Sequence, residues 1–248
     1  MTQSIVILGA TSAIAEACAR RWAGEGAKLL LVARSAERLD AVAADLRARG
    51  AVLVETATID LAAPADQRAL LKGWEARLGG LDIVLLAYGA LGEQSALQAD
   101  PAAAAALIGT NFTSAAAWSE GAAARFAQAG KGTLLVIGSV AGDRGRRSNY
   151  LYGATKAGLG VLVQGIAHRL APLGARAVLI KPGFVDTPMT AHVEGKGGPL
   201  WASADKVAKV IVAAGRSGGP VVYAPGIWAL IMAAVRNTPA AVFNKINL

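Results

Sequence analysis

Ser4-Ile-Val-Ile-Leu8, followed at once by Gly9-Ala-Thr-Ser-Ala-Ile-Ala15, decides the fold of this chain. An apolar strand enters a turn of small residues, and a run carrying Ala17, Cys18, Arg21 and Trp22 continues as a helix. In that layout the N–H groups that a helix N-terminus leaves unpaired meet the pyrophosphate of a dinucleotide. Gly9, Thr11, Ser12, Ala13 and Ile14 are the candidate phosphate-binding residues, with hydroxyls from Thr11 and Ser12. The alternative is an ordinary strand-to-helix turn, because Gly9 is the only glycine in it.

Working outward, strand-like runs at 4–8, 28–33, 52–57, 82–87, 132–138, 175–180 and 219–223 alternate with helical stretches. Such alternation predicts an α/β fold: one Rossmann-type, doubly wound parallel sheet of about seven strands, with helices on both faces and right-handed crossovers. With 248 residues and no Pro- or Ser-rich linker, a single domain over 1–248 is expected. Ligands of such sheets bind beyond the carboxyl ends of the strands, where Gly9, Arg34, Asp60, Ala87, Ser139 and Pro182 fall. After the second strand, readers of NAD carry an acidic residue for the ribose 2′-hydroxyl, whereas this chain has Val32-Ala-Arg-Ser35. Arg34 and Ser35 suit a 2′-phosphate, so NADP(H) is expected over NAD(H); a solvated loop arginine is the alternative.

Tyr152-Gly-Ala-Thr-Lys156 carries the chemistry. The stretch from Tyr150 to Leu170 has helical periodicity and no proline, so Tyr152 and Lys156 share a face at i and i+4. A nearby ammonium stabilises a phenolate and tunes Tyr152 for proton exchange with an alcohol or carbonyl oxygen. Ser139, thirteen residues before Tyr152, ends the apolar run Thr133-Leu-Leu-Val-Ile137 and adds a third polar group.

Taken together, these motifs resemble the short-chain dehydrogenase/reductase family over nearly the whole chain. Its Thr-Gly-x-x-x-Gly-x-Gly motif maps onto Leu8 to Ala15, its serine onto Ser139 and its Tyr-x-x-x-Lys onto Tyr152 and Lys156. Its helix asparagine maps onto Asn111, and its Pro-Gly turn over the nicotinamide onto Pro182-Gly183, with Val185 and Thr187 following. The resemblance implies a catalytic set of Asn111, Ser139, Tyr152 and Lys156, with Asn111 fixing a proton-relaying water. It also implies cofactor contacts at Asp60, Leu61, Ala87 and Gly89, and a homodimer or homotetramer. The departures are Leu8, Ala13 and Ala15 in the first motif, where extra methyl groups are expected to narrow the approach of the pyrophosphate. Leu86-Ala-Tyr-Gly89 also replaces the usual Asn-Asn-Ala-Gly, removing a support of the central sheet.

The net charge of +8 and pI near 9.9 favour acidic partners, yet no nucleic-acid-binding motif is present. Arg144, Arg146 and Arg147 lie between Ser139 and Tyr152; they would receive a phosphate at the substrate mouth, or else form solvated loop charges or an intersubunit contact. The single cysteine, Cys18, excludes an internal disulfide and reads as a packed core thiol. His168 and His192 are isolated and form no metal set with Cys18, so no metal is expected. No signal peptide precedes the first strand and no apolar run is long enough to cross a bilayer, which predicts a cytoplasmic protein. In the apolar segment 225–248, Trp228, Ile231, Met232 and Val235 recur at helical spacing. That pattern suits peripheral contact with the inner face of a membrane, a subunit interface or a substrate tunnel.

Ala87-Tyr-Gly-Ala-Leu-Gly92, Gly142-Asp-Arg-Gly-Arg-Arg-Ser-Asn-Tyr150 and the tail from Ala224 are similar to the decaprenylphosphoryl-2-keto-ribose reductase branch of the family. That likeness implies a lipid-linked keto sugar as substrate and a flavin oxidase as partner. Two alternatives stay open: a reductase of a soluble ketone or 3-ketoacyl thioester, and a non-catalytic nucleotide sensor. Retention of Ser139, Tyr152 and Lys156 argues against the sensor.

Overall fold

A computed structural model describes residues 2–191 and 196–246. His192 lies outside the described residues. In chain order the elements are β1 (Ser4–Leu8), α1 (Ala13–Gly24), β2 (Lys28–Ala33), α2 (Ala36–Ala48), β3 (Leu53–Thr58), α3 (Gln67–Leu78) and β4 (Ile83–Leu86). Then come α4 (Gln94–Ala99), α5 (Pro101–Ile108), α6 (Ala115–Ala129), β5 (Thr133–Ile137), α7 (Tyr150–Leu170) and β6 (Arg176–Pro182). The chain continues through β7 (Phe184–Asp186), β8 (Trp201–Ser203), α8 (Ala204–Arg216), β9 (Val221–Ala224), α9 (Ile227–Asn237) and α10 (Ala240–Phe243).

Seven strands form one parallel sheet in the order β3-β2-β1-β4-β5-β6-β9. All seven sequence-predicted strands are present, with ends moved by no more than a few residues. Alternate residues of each strand feed two different cores, which is why the strands read as apolar throughout. Ile5, Ile7, Leu29 and Leu31 pack with Cys18 and Trp22 of α1 and with Val207 and Ile211 of α8. Val6, Leu8, Leu30 and Val32 face the other way, toward Trp74, Trp118 and Phe126. There the Trp74 and Trp118 rings stack 5.5 Å apart at 6°. Cys18 is buried and unbridged, and burial pushes its thiol pKa up, as for an inert core thiol. His168 is exposed in the last turn of α7.

The strand order reverses direction between β1 and β4, which opens a crevice above their carboxyl ends. A small parallel pair, β7 with β8, lies outside the main sheet. Three residues per strand are too few for a periodicity signal, so the sequence shows no sign of it. Gly109–Ser114, between α5 and α6, winds as a π-helix.

Candidate active site

The crevice is a cleft of about 390 Å³ reaching from the N-terminus of α1 to Tyr152 and Lys156. Gly9, just before the cleft-lining Thr11, has φ +86°, and a Cβ there would fall 2.7 Å from Tyr88 Cβ, so both conformation and space demand glycine. Ser12 caps α1, its Oγ accepting from the Ala15 N–H at 3.3 Å. Thr11, Ser12, Ala13 and Ile14 line the cleft beside N–H groups that a first helical turn leaves without intrahelical partners. Ala15 does not narrow it: its methyl is fully buried in the α1 core, and only Ala13 of the two alanines meets the cleft.

Beyond β2, Arg34 is exposed and is not part of the cleft wall. Ser35 caps α2 through the Arg38 N–H at 3.3 Å. Arg38, which the sequence reading missed, reaches back across the turn. Its Nη2 donates to the Thr11 carbonyl at 2.7 Å and lies 3.8 Å from Glu16, and the residue lines the cleft. Its signal was the i+4 spacing from Arg34 on the first turn of a helix. Asp60 closes a local turn by accepting from the Ala62 N–H at 3.0 Å, while α3 is capped by Asp66. The Leu61 side chain belongs to the core.

Tyr88 stands where the strand-end asparagine support is missing, and it ties the end of β4 to the start of α6. Its phenol is 2.6 Å from Ser114 Oγ, which donates to the Leu61 carbonyl at 2.5 Å, as Trp118 Nε1 also does at 3.1 Å. Burial raises the Tyr88 pKa, keeping it a neutral structural group. Asn111, buried in the π-helical stretch, accepts from the Ala90 N–H at 2.8 Å and donates to the Ala90 carbonyl at 2.7 Å and to Thr155 Oγ1 at 3.4 Å. Its amide is therefore committed to joining the end of β4 to α7 and does not line the cleft. Ala87 and Gly89 do line it.

Ser139, Tyr152 and Lys156 meet at the deep end of the cleft. Gly142 makes this possible, because a Cβ there would sit 2.7 Å from the Lys156 carbonyl carbon; α7 thus crosses directly over the turn that follows Ser139. Burial raises the Tyr152 pKa, while a hydrogen bond with Ser139 and the charge of Arg146 lower it. Lys156 Nζ stands 5.8 Å from the Tyr152 ring centroid and donates to the Ile137 carbonyl at 3.0 Å. Burial brings the Lys156 pKa down to about 8. The charge of Arg146 thus adds to the cationic surroundings of Tyr152, a contribution that the Tyr-x-x-x-Lys spacing does not show.

Pro182, Gly183, Val185 and Thr187 form the facing wall. Against it packs the C-terminal segment. A Cβ on Gly183 would fall 1.8 Å from Trp228 Nε1, and Trp228 meets the Phe184 ring edge-on at 5.5 Å. Trp228 and Met232 are 4% and 2% exposed against Val140, with Ile231 and Val235 beside them. The apolar stripe of α9 is therefore spent on an internal core that backs the cleft, which leaves Ile227 and Leu230 outside at 50% and 71% exposure, with Val242 and Ile246 also exposed further on. Among the described residues no helix is long and apolar enough to cross a membrane.

The three loop arginines do not act together. Arg144 donates to the carbonyls of Val235, Arg236 and Thr238 and clamps α9, and Arg147 is exposed and does not line the cleft. Arg146 alone of the three enters the cleft wall. Asp143 beside it pairs with Lys181 and accepts from the Tyr223 phenol at 2.8 Å.

A parallel sheet in this order, with a helix N-terminus and a Ser-Tyr-Lys group in one cleft at its switch point, defines a Rossmann-type dinucleotide-binding oxidoreductase. Residues 3–196 match the family described as short chain dehydrogenase, and the chain belongs to that family. It is 36% identical over 245 residues to an uncharacterized oxidoreductase of Streptomyces coelicolor, covering 98% of this chain and 96% of the relative. An uncharacterized oxidoreductase of Mycobacterium tuberculosis is 37% identical over 244 residues, with the same coverage of 98% and 96%. Among solved structures, a short-chain dehydrogenase from Sphingobium yanoikuyae in complex with NADPH is 29% identical, with a TM-score of 0.80 and coverage of 99% and 96%. A short chain dehydrogenase from Burkholderia cenocepacia in complex with NADP, 20% identical and covering 98% and 97%, shares the fold at a TM-score of 0.80.

Proposed function

We propose that the protein, acting as one domain over 1–248, reduces a carbonyl to an alcohol with NADPH. The observation that carries this reading is the meeting of Ser139, Tyr152 and Lys156 at one end of a cleft whose other end is the α1 N-terminus flanked by Arg38. The cleft fits the cofactor: Thr11, Ser12, Ala13 and Ile14 line its end at the N-terminus of α1, and among the described residues the buried Lys156 ammonium has one hydrogen-bond acceptor, the Ile137 carbonyl, and so has donors to spare. Gly9, Thr11, Ser12, Ala13 and Ile14 would take the pyrophosphate, and Arg34, Ser35 and Arg38 the 2′-phosphate. Asp60 and Leu61 would meet the adenine, Ala87, Gly89, Tyr152 and Lys156 the nicotinamide ribose, and Pro182, Gly183, Val185 and Thr187 the nicotinamide. When bound, the reduced nicotinamide supplies hydride to the carbonyl carbon.

The residues of the chain then handle the oxygen. Ser139 donates a hydrogen bond to it, and Tyr152 donates the proton that completes the alcohol. Burial raises the Tyr152 pKa, so the phenol holds the proton that it gives to the carbonyl oxygen. Asn111 acts as a positioning residue, tying the end of β4 to α7.

The finer reading, a keto sugar on a polyprenyl phosphate with a flavin oxidase as partner, rests on the likeness of 87–92 and 142–150 to the keto-ribose reductase branch. Arg146 in the cleft supports an anionic substrate. The buried stripe of α9 leaves Ile227, Leu230, Val242 and Ile246 of the C-terminal segment as exposed apolar surface available for lipid or membrane. Assays of NADPH consumption with a polyprenyl-phosphate keto sugar, a 3-ketoacyl thioester and a simple ketone test this reading. Equal rates on all three would favour the generic reductase, and no consumption with any carbonyl would favour the sensor.

A further inference from the structure

Asn149 stands at the N-cap position of α7 and does not cap it. Asparagine is favoured there because its side-chain oxygen takes a first-turn N–H. Here the Leu151 N–H donates instead to Oε1 of the buried Gln94, at 3.2 Å. Asn149 Oδ1 is left buried with no hydrogen-bond partner, in a residue that lines the cleft with Ser139 and Tyr152. A buried acceptor without a donor is unfavourable, and a ligand that donates to it recovers the loss.

Arg146, three residues earlier, has the complementary need. Its Nε is buried and unpartnered, and Asp143, the carboxylate nearest its charge, is engaged by Lys181 and Tyr223. Burial lowers its pKa, which reports an incompletely compensated cation, and Tyr152 feels that charge. A guanidinium in that state takes an anionic oxygen group through its planar fork of donors.

We propose that Arg146 and Asn149 are a substrate-recognition pair for a ketone that carries an anionic oxygen group and a free hydroxyl. The anion lies on Arg146 and the hydroxyl donates to Asn149 Oδ1, while Ser139 and Tyr152 hold the carbonyl oxygen. A plain ketone leaves both side chains unpartnered, and a site built to hydrogen-bond its substrate rejects analogues that lack the group. This inference rests on the reductase reading above.

The test compares dihydroxyacetone phosphate, hydroxypyruvate and dihydroxyacetone with NADPH, and separately titrates glycerol 3-phosphate and glycerol into the NADP-loaded protein by calorimetry. At least one anionic ketone should exceed dihydroxyacetone in kcat/KM by about tenfold or more, and the better of the two identifies the anion as phosphate or carboxylate. Arg146→Met should lose about tenfold more on that ketone than on dihydroxyacetone, mainly through KM, with partial recovery in Arg146→Lys. Asn149→Ala should weaken glycerol 3-phosphate binding in a protein whose circular dichroism is unchanged and whose melting temperature is not lowered, since the substitution removes a buried unpartnered acceptor. Equal losses on charged and uncharged ketones, or equal affinity for glycerol 3-phosphate and glycerol, would overturn the pair. If no ketone turns over but glycerol 3-phosphate binding still depends on Arg146, the pair stands and the reductase reading falls.

Discussion

The Arg144 guanidinium sits over the Phe243 ring, its central carbon 3.9 Å from the ring centroid. The same side chain donates to the carbonyls of Val235, Arg236 and Thr238 at 2.9, 3.1 and 2.5 Å, closing the end of α9. One residue of the active-site loop thereby holds the helix that backs the Pro182-Gly183 wall.

Arg144→Ala should therefore act at a distance. Loss of charge-assisted hydrogen bonds and a cation–π contact is worth about 2 kcal/mol, a fall of several degrees in Tm for a chain of this size. Hydrogen exchange should accelerate through α9 and α10. Unchanged exchange there would show that Arg144 does not hold the segment.

Tyr88→Phe should cost about 1–2 kcal/mol, because it removes the hydroxyl bonded to Ser114 within a buried network. A double-mutant cycle with Ser114→Ala should be non-additive, since the two act through one bond. Simple additivity would mean that the pair does not replace the missing asparagine support.

Cofactor choice should depend on two arginines. Arg34→Asp is expected to weaken NADPH binding by on the order of 2 kcal/mol and shift preference toward NADH. Arg38→Ala should also weaken NADPH, and additionally free the Thr11 carbonyl that it holds at 2.7 Å. Dissociation constants for both cofactors decide this; an NADPH/NADH ratio unchanged in both variants would remove the arginines from the 2′-phosphate site.

Lys156 sets a pH signature. Its pKa falls from an ordinary 10.5 to about 8 in the folded protein. Between those values the unfolded chain binds the proton and the folded one does not, so stability rises with pH across the window. Below about pH 8 the penalty for the buried cation is fully present, on the order of 3 kcal/mol. Lys156→Met should relieve it, so the stability gap between variant and wild type should shift in favour of wild type from pH 7.5 to 10 by about that amount. Parallel denaturation midpoints over this range would contradict the assignment.

The sheet was legible because a strand covered on both faces is apolar along its whole length, as Ile5, Val6, Ile7 and Leu8 show. Ser139, Tyr152 and Lys156 were legible because helical spacing and a strand end fix their positions. Arg144 and Arg146 were not separable, since adjacent loop residues diverge with the local backbone: one clamps α9 and the other lines the cleft. The amphipathic stripe at Trp228 and Met232 announced a buried face without naming what it is buried against; Val140 and Gly183 emerge only in three dimensions. Asn149 has the composition of a cap, and the competing acceptor, Gln94, lies far away in sequence.

The most direct measurement is transfer of deuterium from nicotinamide-deuterated NADPH to the carbinol carbon of a reduced ketone, followed in wild type and in Tyr152→Phe. Wild type should place one deuterium on that carbon for each cofactor oxidised. Tyr152→Phe should bind NADPH with nearly the wild-type affinity yet transfer about a thousandfold more slowly, as removal of a general acid requires. Transfer by Tyr152→Phe at the wild-type rate would contradict the account.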